Sequence, residues 1–185
     1  VSQNALEYGK GNSGMIFAQY LNGVSRFYVE NNQPERMLIN ALSLAVDDAY
    51  NAVQNPQEGT ILTVIKDWAN KLQNVSDIYS FTESLLIAQE AARVSVLKTK
   101  HQHKVMKKNE VVDAGAKGFL LFIEGFTDVL LGLKTKLKHD SNSLLDKIKD
   151  EQIHVFNEIP NFRYCMEIIY SSNKHKISKK EVQKF

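Results

Sequence analysis

Gly9-Lys10-Gly11-Asn12-Ser13-Gly14 is a turn-forming stretch that runs directly into the largely apolar segment 15–21. Glycine allows the backbone to turn tightly and to approach a ligand closely. A helix that begins after such a turn carries unpaired N–H groups and the positive end of its dipole, which together favour an anion. The stretch therefore predicts a helix start at about Ser13 and a candidate phosphate site in front of it.

Two further turns of this type each precede a segment with helical spacing of apolar residues. They are Pro56-Gln57-Glu58-Gly59-Thr60 and Asp113-Ala114-Gly115-Ala116-Lys117-Gly118. The simplest interpretation of each turn is a plain helix entry, in which Glu58, Gly59, Thr60 or Asp113 only caps the helix. The recurrence of three such turns in one small chain instead predicts one ligand held at one end of a helical bundle.

The spacing of apolar residues predicts helices through most of the chain before Gly132. The predicted helices, in chain order, cover about 13–30, 34–55, 59–72, 77–92, 102–108 and 116–131. Ser76 or Asp77 is the predicted cap of the fourth. The last of the six is apolar on nearly all sides, which is typical of a helix at the centre of its bundle.

The sequence changes in character after Gly132. Residues 134–158 are rich in Lys, Asp and Ser, which predicts a linker or a solvent-exposed helix. Residues 162–170 are rich in aromatic and β-branched residues, as in a strand, and the capping-box pair Ser178 and Glu181 predicts a helix start. We therefore predict an all-α helical domain over 1–133 and the beginning of an α/β domain over 159–185.

Composition excludes several classes of protein. The net charge is only +2, which does not favour nucleic acid as a partner. No apolar run is long enough for a transmembrane helix, and no signal-peptide pattern is visible. Cys165 is the only cysteine, which excludes an internal disulfide framework and fits a reducing, cytoplasmic compartment. The start at Val1 suggests a fragment of a larger protein.

The three turns, in this order and spacing, resemble the L-type nucleotide-binding domain of the dihydroxyacetone kinase family. The motifs that carry the resemblance are Gly11-Asn12-Ser13-Gly14, the segment 56–64 and the segment 111–118 with Glu124-Gly125. The closer resemblance is to the domain that opens bacterial fatty acid kinase. Arg163-Tyr164-Cys165-Met166-Glu167 resembles the opening strand of that kinase's middle domain.

The resemblance implies an antiparallel barrel of about eight helices, with ATP or ADP and magnesium at one end. It implies that Gly11, Asn12, Ser13 and Gly14 cradle phosphate and that Ile16 and Ile61 flank the adenine. It places Glu58, Gly59 and Thr60 next to the nucleotide, and Asp113, Ala114 and Gly115 on the opposite wall. The implied reaction transfers the γ-phosphoryl group to a fatty acid held by a DegV-like protein or fused domain. The resemblance is also compatible with a homodimer.

The chain also departs from the family pattern. The family binds magnesium through an Asp-Gly-Asp-Thr-Gly-type motif, which would lie before Val1, so the magnesium ligands are not expected in this chain. The resemblance therefore implies that the first family helices are missing and that the fragment alone is inactive. Lys100 stands where a Pro is common, and Ala116 stands where a Gly is common.

Cys165 and the basic segment 98–108 each have a structural and a functional interpretation. Cys165 is by default a buried thiol, but the resemblance implies a zinc ligand in the following domain, completed by histidines that this chain lacks. The basic segment 98–108, which includes His101 and His103, is by default a solvated face. Its functional interpretation is a loop near the nucleotide phosphates or a docking surface for an acidic partner. A metal site formed by His101 and His103 is less favoured.

Two alternative functions follow from the same residues. The first is a dihydroxyacetone kinase nucleotide-binding subunit, against which the strand at 162–170 argues. The second, from another class, is a non-catalytic helical module that senses nucleotide or joins domains. The missing aspartates and the basic segment motivate this second alternative.

Overall fold

The computed structural model describes residues 2–28, 32–102 and 104–132. This part of the chain is an all-α bundle, as the sequence predicts. The helices are α1 Ser2–Tyr8, α2 Gly11–Phe27, α3 Pro34–Leu44, α4 Val46–Asn51, α5 Ile61–Val75, α6 Phe81–Gln102, α7 Lys104–Asn109 and α8 Ala114–Leu130. The predicted linker 134–158, the predicted domain 159–185, its strand and capping box, and Cys165 lie outside the described residues.

Helix α5 supplies much of the hydrophobic core. Its first residues, 61–65, are buried on every side, and its later buried residues recur at helical spacing and form one face. The helix packs against α3, α6 and α8. Trp68 on this face is 1% exposed, and its ring meets the ring of Phe119 from α8 edge-on at 5.7 Å. The buried residues of α5 are Ile61, Leu62, Thr63, Val64, Ile65, Trp68, Ala69, Leu72 and Val75.

A buried tyrosine joins α2 to α3. Tyr20 on α2 is 1% exposed, and its hydroxyl donates to the Leu42 carbonyl of α3 at 3.0 Å. Burial raises the pKa of the Tyr20 hydroxyl, so the group stays a neutral donor. The side chain therefore fixes these two helices relative to each other without placing a charge in the core.

The predicted helix over 34–55 is in fact two helices, α3 and α4, separated at Ala45. Ala45 packs against Gly23 of α2, where an added Cβ would lie 3.0 Å from the Ala45 Cβ and overlap the Asp48 carboxylate. Arg26 of α2 pairs with the same carboxylate. The break thus occurs where α2 and α4 approach closely, a contact that apolar spacing does not reveal.

The predicted cap of the fourth helix is wrong. Ser76 ends α5, and α6 begins later, where Ser80 and Glu83 form a reciprocal capping box. The Ser80 N–H donates to Glu83 Oε2 at 3.0 Å, and the Glu83 N–H donates to Ser80 Oγ at 3.3 Å. Ser76 instead donates to the Gln73 carbonyl at the helix end. A short helix, α1, also precedes the first predicted one.

The last predicted helix, expected at the centre of its bundle, is buried on only one side in the described part of the chain. Phe119, Leu120 and Ile123 are in the core, whereas Leu121, Phe122 and Val129 are 45%, 41% and 70% exposed. The ion pair between Arg93 of α6 and Glu124 of α8 borders this outer face. Helix α8 thus covers the core from one side of the described bundle rather than passing through its centre.

Candidate functional site

The three predicted turns come together at one end of the bundle. Ser13 lies against Gly115, because a Cβ added at Gly115 would overlap Ser13 Oγ and lie 2.9 Å from Ser13 Cβ. Asp113 reaches the third turn, since its Oδ2 accepts from the N–H of Ile61 at 3.1 Å. The beginnings of α2, α5 and α8 are therefore in direct contact.

The stretch Gly11-Asn12-Ser13-Gly14 forms the first turn of α2 rather than a loop in front of it. Gly11 begins the helix with φ +70°, a left-handed conformation that favours glycine. Among the described residues, none accepts a hydrogen bond from the backbone N–H of Gly11, Asn12 or Ser13. The helix start thus offers open donors at the positive end of its dipole.

The first turn of α8 offers two more donors. Asp113 caps this helix, and its Oδ2 accepts from the Ala116 N–H at 2.7 Å. The N–H of Asp113 is used as well, because it donates to Thr99 Oγ1 at 3.0 Å. In the described part of the chain, the N–H groups of Ala114 and Gly115 have no acceptor. The carboxylate therefore has the capping role, and the next two residues present the donors.

The turn before α5 differs, because its donors are used internally. Gly59 is buried with φ +77°, and its N–H donates to Thr63 Oγ1 at 2.8 Å. Thr60 caps the helix and accepts from the Leu62 N–H at 3.4 Å. The Ile61 N–H is bound to Asp113. This turn supports the site but offers few open donors to an anion.

The Glu58 carboxylate is held by three side chains. Its Oε1 accepts from the Tyr50 hydroxyl at 2.9 Å and from Lys66 Nζ at 2.8 Å, and its Oε2 accepts from Thr63 Oγ1 at 2.5 Å. Partial burial raises the pKa of Glu58, but the bonds from Lys66, Thr63 and Tyr50 outweigh this effect, and the pKa is lowered overall. The group is therefore a well-partnered anion.

Tyr50 and Lys66 respond to the same cluster. Partial burial is the main reason that the pKa of Tyr50 is raised, and the nearby Glu58 adds to it. The hydrogen bond to Glu58 is the main reason that the pKa of Lys66 is raised. The Lys66 ammonium also lies 5.4 Å from the centre of the Tyr50 ring. Both groups thus keep their protons and act as donors to Glu58.

The two isoleucines that the resemblance places beside the adenine lie in the core. Ile16 is 5% exposed and Ile61 is 4% exposed, and both belong to the main apolar cluster. This burial matches the ordinary role of apolar residues in the first turns of α2 and α5. Their predicted contact with a nucleotide base stays a prediction.

Sequence reasoning missed Tyr50, Thr63, Lys66 and Thr99, which hold the turns in place. Thr63 and Thr99 are polar residues on buried helix faces, 4% and 0% exposed, and each hydroxyl accepts from a backbone N–H of a turn. A polar residue at an apolar position of the helical pattern was the available signal. Tyr50 and Lys66 gave no such signal, because both positions read as ordinary partly exposed helix.

The basic segment 98–108 begins beside the site, since Thr99 binds the N–H of Asp113. Lys98 and His101 are exposed, and Lys100 is half-buried. Residue 103 lies outside the described residues, so the less favoured metal site of His101 and His103 stays a hypothesis. Lys98 also lines a groove of about 680 Å³ between α5 and α6, which does not include the three turns.

No metal centre is present among the residues described here. Within 2–28, 32–102 and 104–132, no three His, Cys, Asp or Glu side chains cluster so as to hold a metal ion. The open N–H groups at the starts of α2 and α8 fit the phosphates of a nucleotide. Over the same residues, no helix has the length and apolar character needed to cross a membrane.

Comparison with known proteins identifies the family of this chain. Residues 1–128 match the family model of the DAK2 domain, the L-type domain of the dihydroxyacetone kinase family. Uncharacterized proteins of Staphylococcus aureus strains USA300 and COL are 32% identical over 185 aligned residues, 95% of this chain and 33% of each relative. The chain thus spans about a third of the length of the curated relatives that it matches.

Proposed function

Since the chain belongs to the DAK2 domain family, we propose that it is the nucleotide-binding domain of an ATP-dependent phosphotransferase. The observation that carries this proposal is the meeting of α2 and α8 at their first turns. Gly11, Asn12 and Ser13 on one helix and Ala114 and Gly115 on the other present open N–H groups at that point, in the described chain. Two helix dipoles and five donors are suited to the phosphates of ATP or ADP.

The residues of the site divide into two roles under this proposal. The first turns of α2, with Gly14, and of α8 bind phosphate, whereas Asp113, Thr60 and Gly59 hold the turns in position. The close contact of Ser13 with Gly115 sets the spacing between the two rows of donors. Ile16 and Ile61 remain core residues, whose backbone helps to place these turns.

We propose a fatty acid as the acceptor, presented by a DegV-like protein or domain. The reaction transfers the γ-phosphoryl group of ATP to the fatty acid carboxylate, which gives an acyl phosphate and ADP. The resemblance of the segment 163–167 to the fatty acid kinase middle domain supports this choice. The proposed setting is the cytoplasm, where ATP is available. Bound magnesium would neutralise phosphate charge, and we assign it no ligand here.

The acceptor is tested with the complete protein that contains this chain. The protein is mixed with Mg-ATP and either a lipid-loaded DegV-like protein or dihydroxyacetone. We expect acyl phosphate, trapped as a hydroxamate, only in the first mixture. Phosphorylation of dihydroxyacetone alone would support the other kinase of the family. Nucleotide binding with no turnover on either acceptor would support a nucleotide-sensing module.

The phosphate site is tested separately by NMR with [15N]glycine, which labels all nine glycines of the chain. Addition of ADP is expected to shift the Gly11 and Gly115 signals. The Gly118 and Gly125 signals, from later turns of α8, serve as internal controls. Shifts confined to the two controls, or no shift at millimolar ADP in the complete protein, would contradict the proposed site.

A further inference from the structure

The carboxylate of Glu58 is poorly suited to contact a nucleotide. Each of its oxygens already accepts at least one hydrogen bond, from Tyr50, Lys66 or Thr63. A carboxylate and a phosphate repel each other unless a cation lies between them, and the nearby cation, Lys66, is bound to Glu58 itself. The side chain therefore acts on its own surroundings rather than on an anion.

Hydrogen bonds and the short backbone segment 59–61 connect Glu58 to the candidate phosphate site. Thr63 donates its hydroxyl proton to Glu58 and accepts from the Gly59 N–H. Gly59 lies two residues before Ile61, whose N–H is bound to Asp113. Asp113 in turn holds the first turn of α8 beside Ser13. The position of the α8 donors thus depends on the turn that Glu58 anchors.

We infer that Glu58 is a positioning residue, which with Tyr50, Lys66 and Thr63 locks the Gly59 turn and so keeps the α8 donors facing those of α2. This inference rests on the proposed function, because it assigns Glu58 a role in nucleotide affinity without contact. It also replaces the expectation that Glu58 touches the nucleotide. Tyr50 and Lys66 thus contribute to the site indirectly, because they bind Glu58 and not the nucleotide.

Double-mutant analysis of ADP affinity separates positioning from contact. In the complete protein, Glu58→Gln and Tyr50→Phe are each expected to weaken ADP binding about threefold to tenfold, the effect of losing one or two hydrogen bonds. The double variant is expected to be no weaker than the weaker single variant, because both act through one cluster. Direct contact by Glu58 predicts instead that Tyr50→Phe binds ADP like the wild type.

Matched variants control for general damage. Thr63→Ser keeps the hydroxyl and is expected to bind ADP like the wild type, whereas Thr63→Val is expected to bind more weakly. Glu35→Gln, an exposed change at the start of α3, should have no effect. Circular dichroism checks that every variant is folded. Equal affinity of Thr63→Val and Thr63→Ser would overturn the inference.

Hydrogen exchange of the ligand-free protein gives an independent readout. Tyr50→Phe is expected to speed exchange of the Gly59 and Ile61 amides at least threefold, while Gly118 stays unchanged. Failure of the wild type to bind ADP would overturn the proposed function and the inference with it. Tight ADP binding that neither Glu58→Gln nor Tyr50→Phe alters would overturn the inference alone.

Discussion

Gly115 and Gly118 lie one turn apart on α8 and have opposite surroundings. A Cβ at Gly115 would overlap Ser13, whereas a Cβ at Gly118 would meet no atom within 4 Å. Both positions are helical, so both glycines cost conformational entropy relative to alanine. Only Gly115 has a packing reason within the described chain, and this reason is the approach of α2 to α8.

The same substitution at these two positions should therefore have effects of opposite sign. Gly118→Ala is expected to raise the free energy of unfolding by about 0.5–1 kcal/mol, because it improves helix propensity without a clash. Gly115→Ala is expected to lower it by about 1–3 kcal/mol, because Ser13 must move. Urea denaturation of both variants measures this difference. A stabilised Gly115→Ala would show that α2 and α8 are not tightly apposed.

Gly118 also offers a check on its place in the third motif. If Gly118→Ala stabilises the chain and leaves ADP affinity unchanged, the residue has no ligand role. Stabilisation with a loss of affinity would show that the open space beside Gly118 is used by the bound molecule.

Among the helices, the start of α8 carries more than its own cap. Asp113 accepts from Ala116 within α8 and from Ile61 at the start of α5. Ser80, by comparison, caps α6 through a local capping box with Glu83. One side chain thus serves two helices in the first case and one helix in the second.

This difference predicts unequal costs for the loss of the two caps. Ser80→Ala is expected to lower the free energy of unfolding by about 1 kcal/mol, the usual value for a cap. Asp113→Ala is expected to cost roughly twice as much, since it leaves two N–H groups without an acceptor. Thermal and urea unfolding compare the variants directly. Equal losses would mean that the Asp113–Ile61 bond contributes nothing to stability.

Local chemistry was enough to predict the principal helices, and capping was the simplest interpretation of the turns at Thr60 and Asp113, which do cap α5 and α8. Those features depend on apolar spacing and on short-range hydrogen bonds, which are written in neighbouring residues. The break at Ala45 lies where α2 packs closely at Gly23, and the exposed face of α8 depends on which helices lie beside it. Such features arise from contacts between distant segments. For the same reason, the motifs indicated where the turns lie but not which backbone N–H groups are free to bind a ligand. In the turn before α5 most of these N–H groups are hydrogen-bonded, whereas those at the starts of α2 and α8 are open within the described chain.

For the chain as a whole, Glu58 makes stability depend on pH in the acid range. Its pKa is lowered in the folded state, so the unfolded chain takes up the proton more readily. The stabilisation from its ionised form is present above the ordinary glutamate pKa of 4.5 and is lost as the pH falls below it, through the folded value. The Glu58 cluster therefore favours the folded chain near neutral pH.

Unfolding curves at several pH values test this dependence. The stability difference between the wild type and Glu58→Gln is expected to be largest near neutrality and to shrink as the pH falls below 4.5. Glu35→Gln, at the start of α3, is the surface control. A difference that stays constant down to strongly acidic pH would mean that the ionised carboxylate does not stabilise the fold.

The contact between Ser13 and Gly115 joins residues about one hundred positions apart, and the Ile61–Asp113 bond spans 52 positions. Contacts of such long range form late, because the loop between their ends must close first. During synthesis, the earlier helices must therefore remain folded or protected without help from a ligand at this site. A bound nucleotide can stabilise only the completed bundle, because its site does not exist before α8 is in place. Cellular ATP would therefore stabilise completed chains but not chains that are still being synthesised.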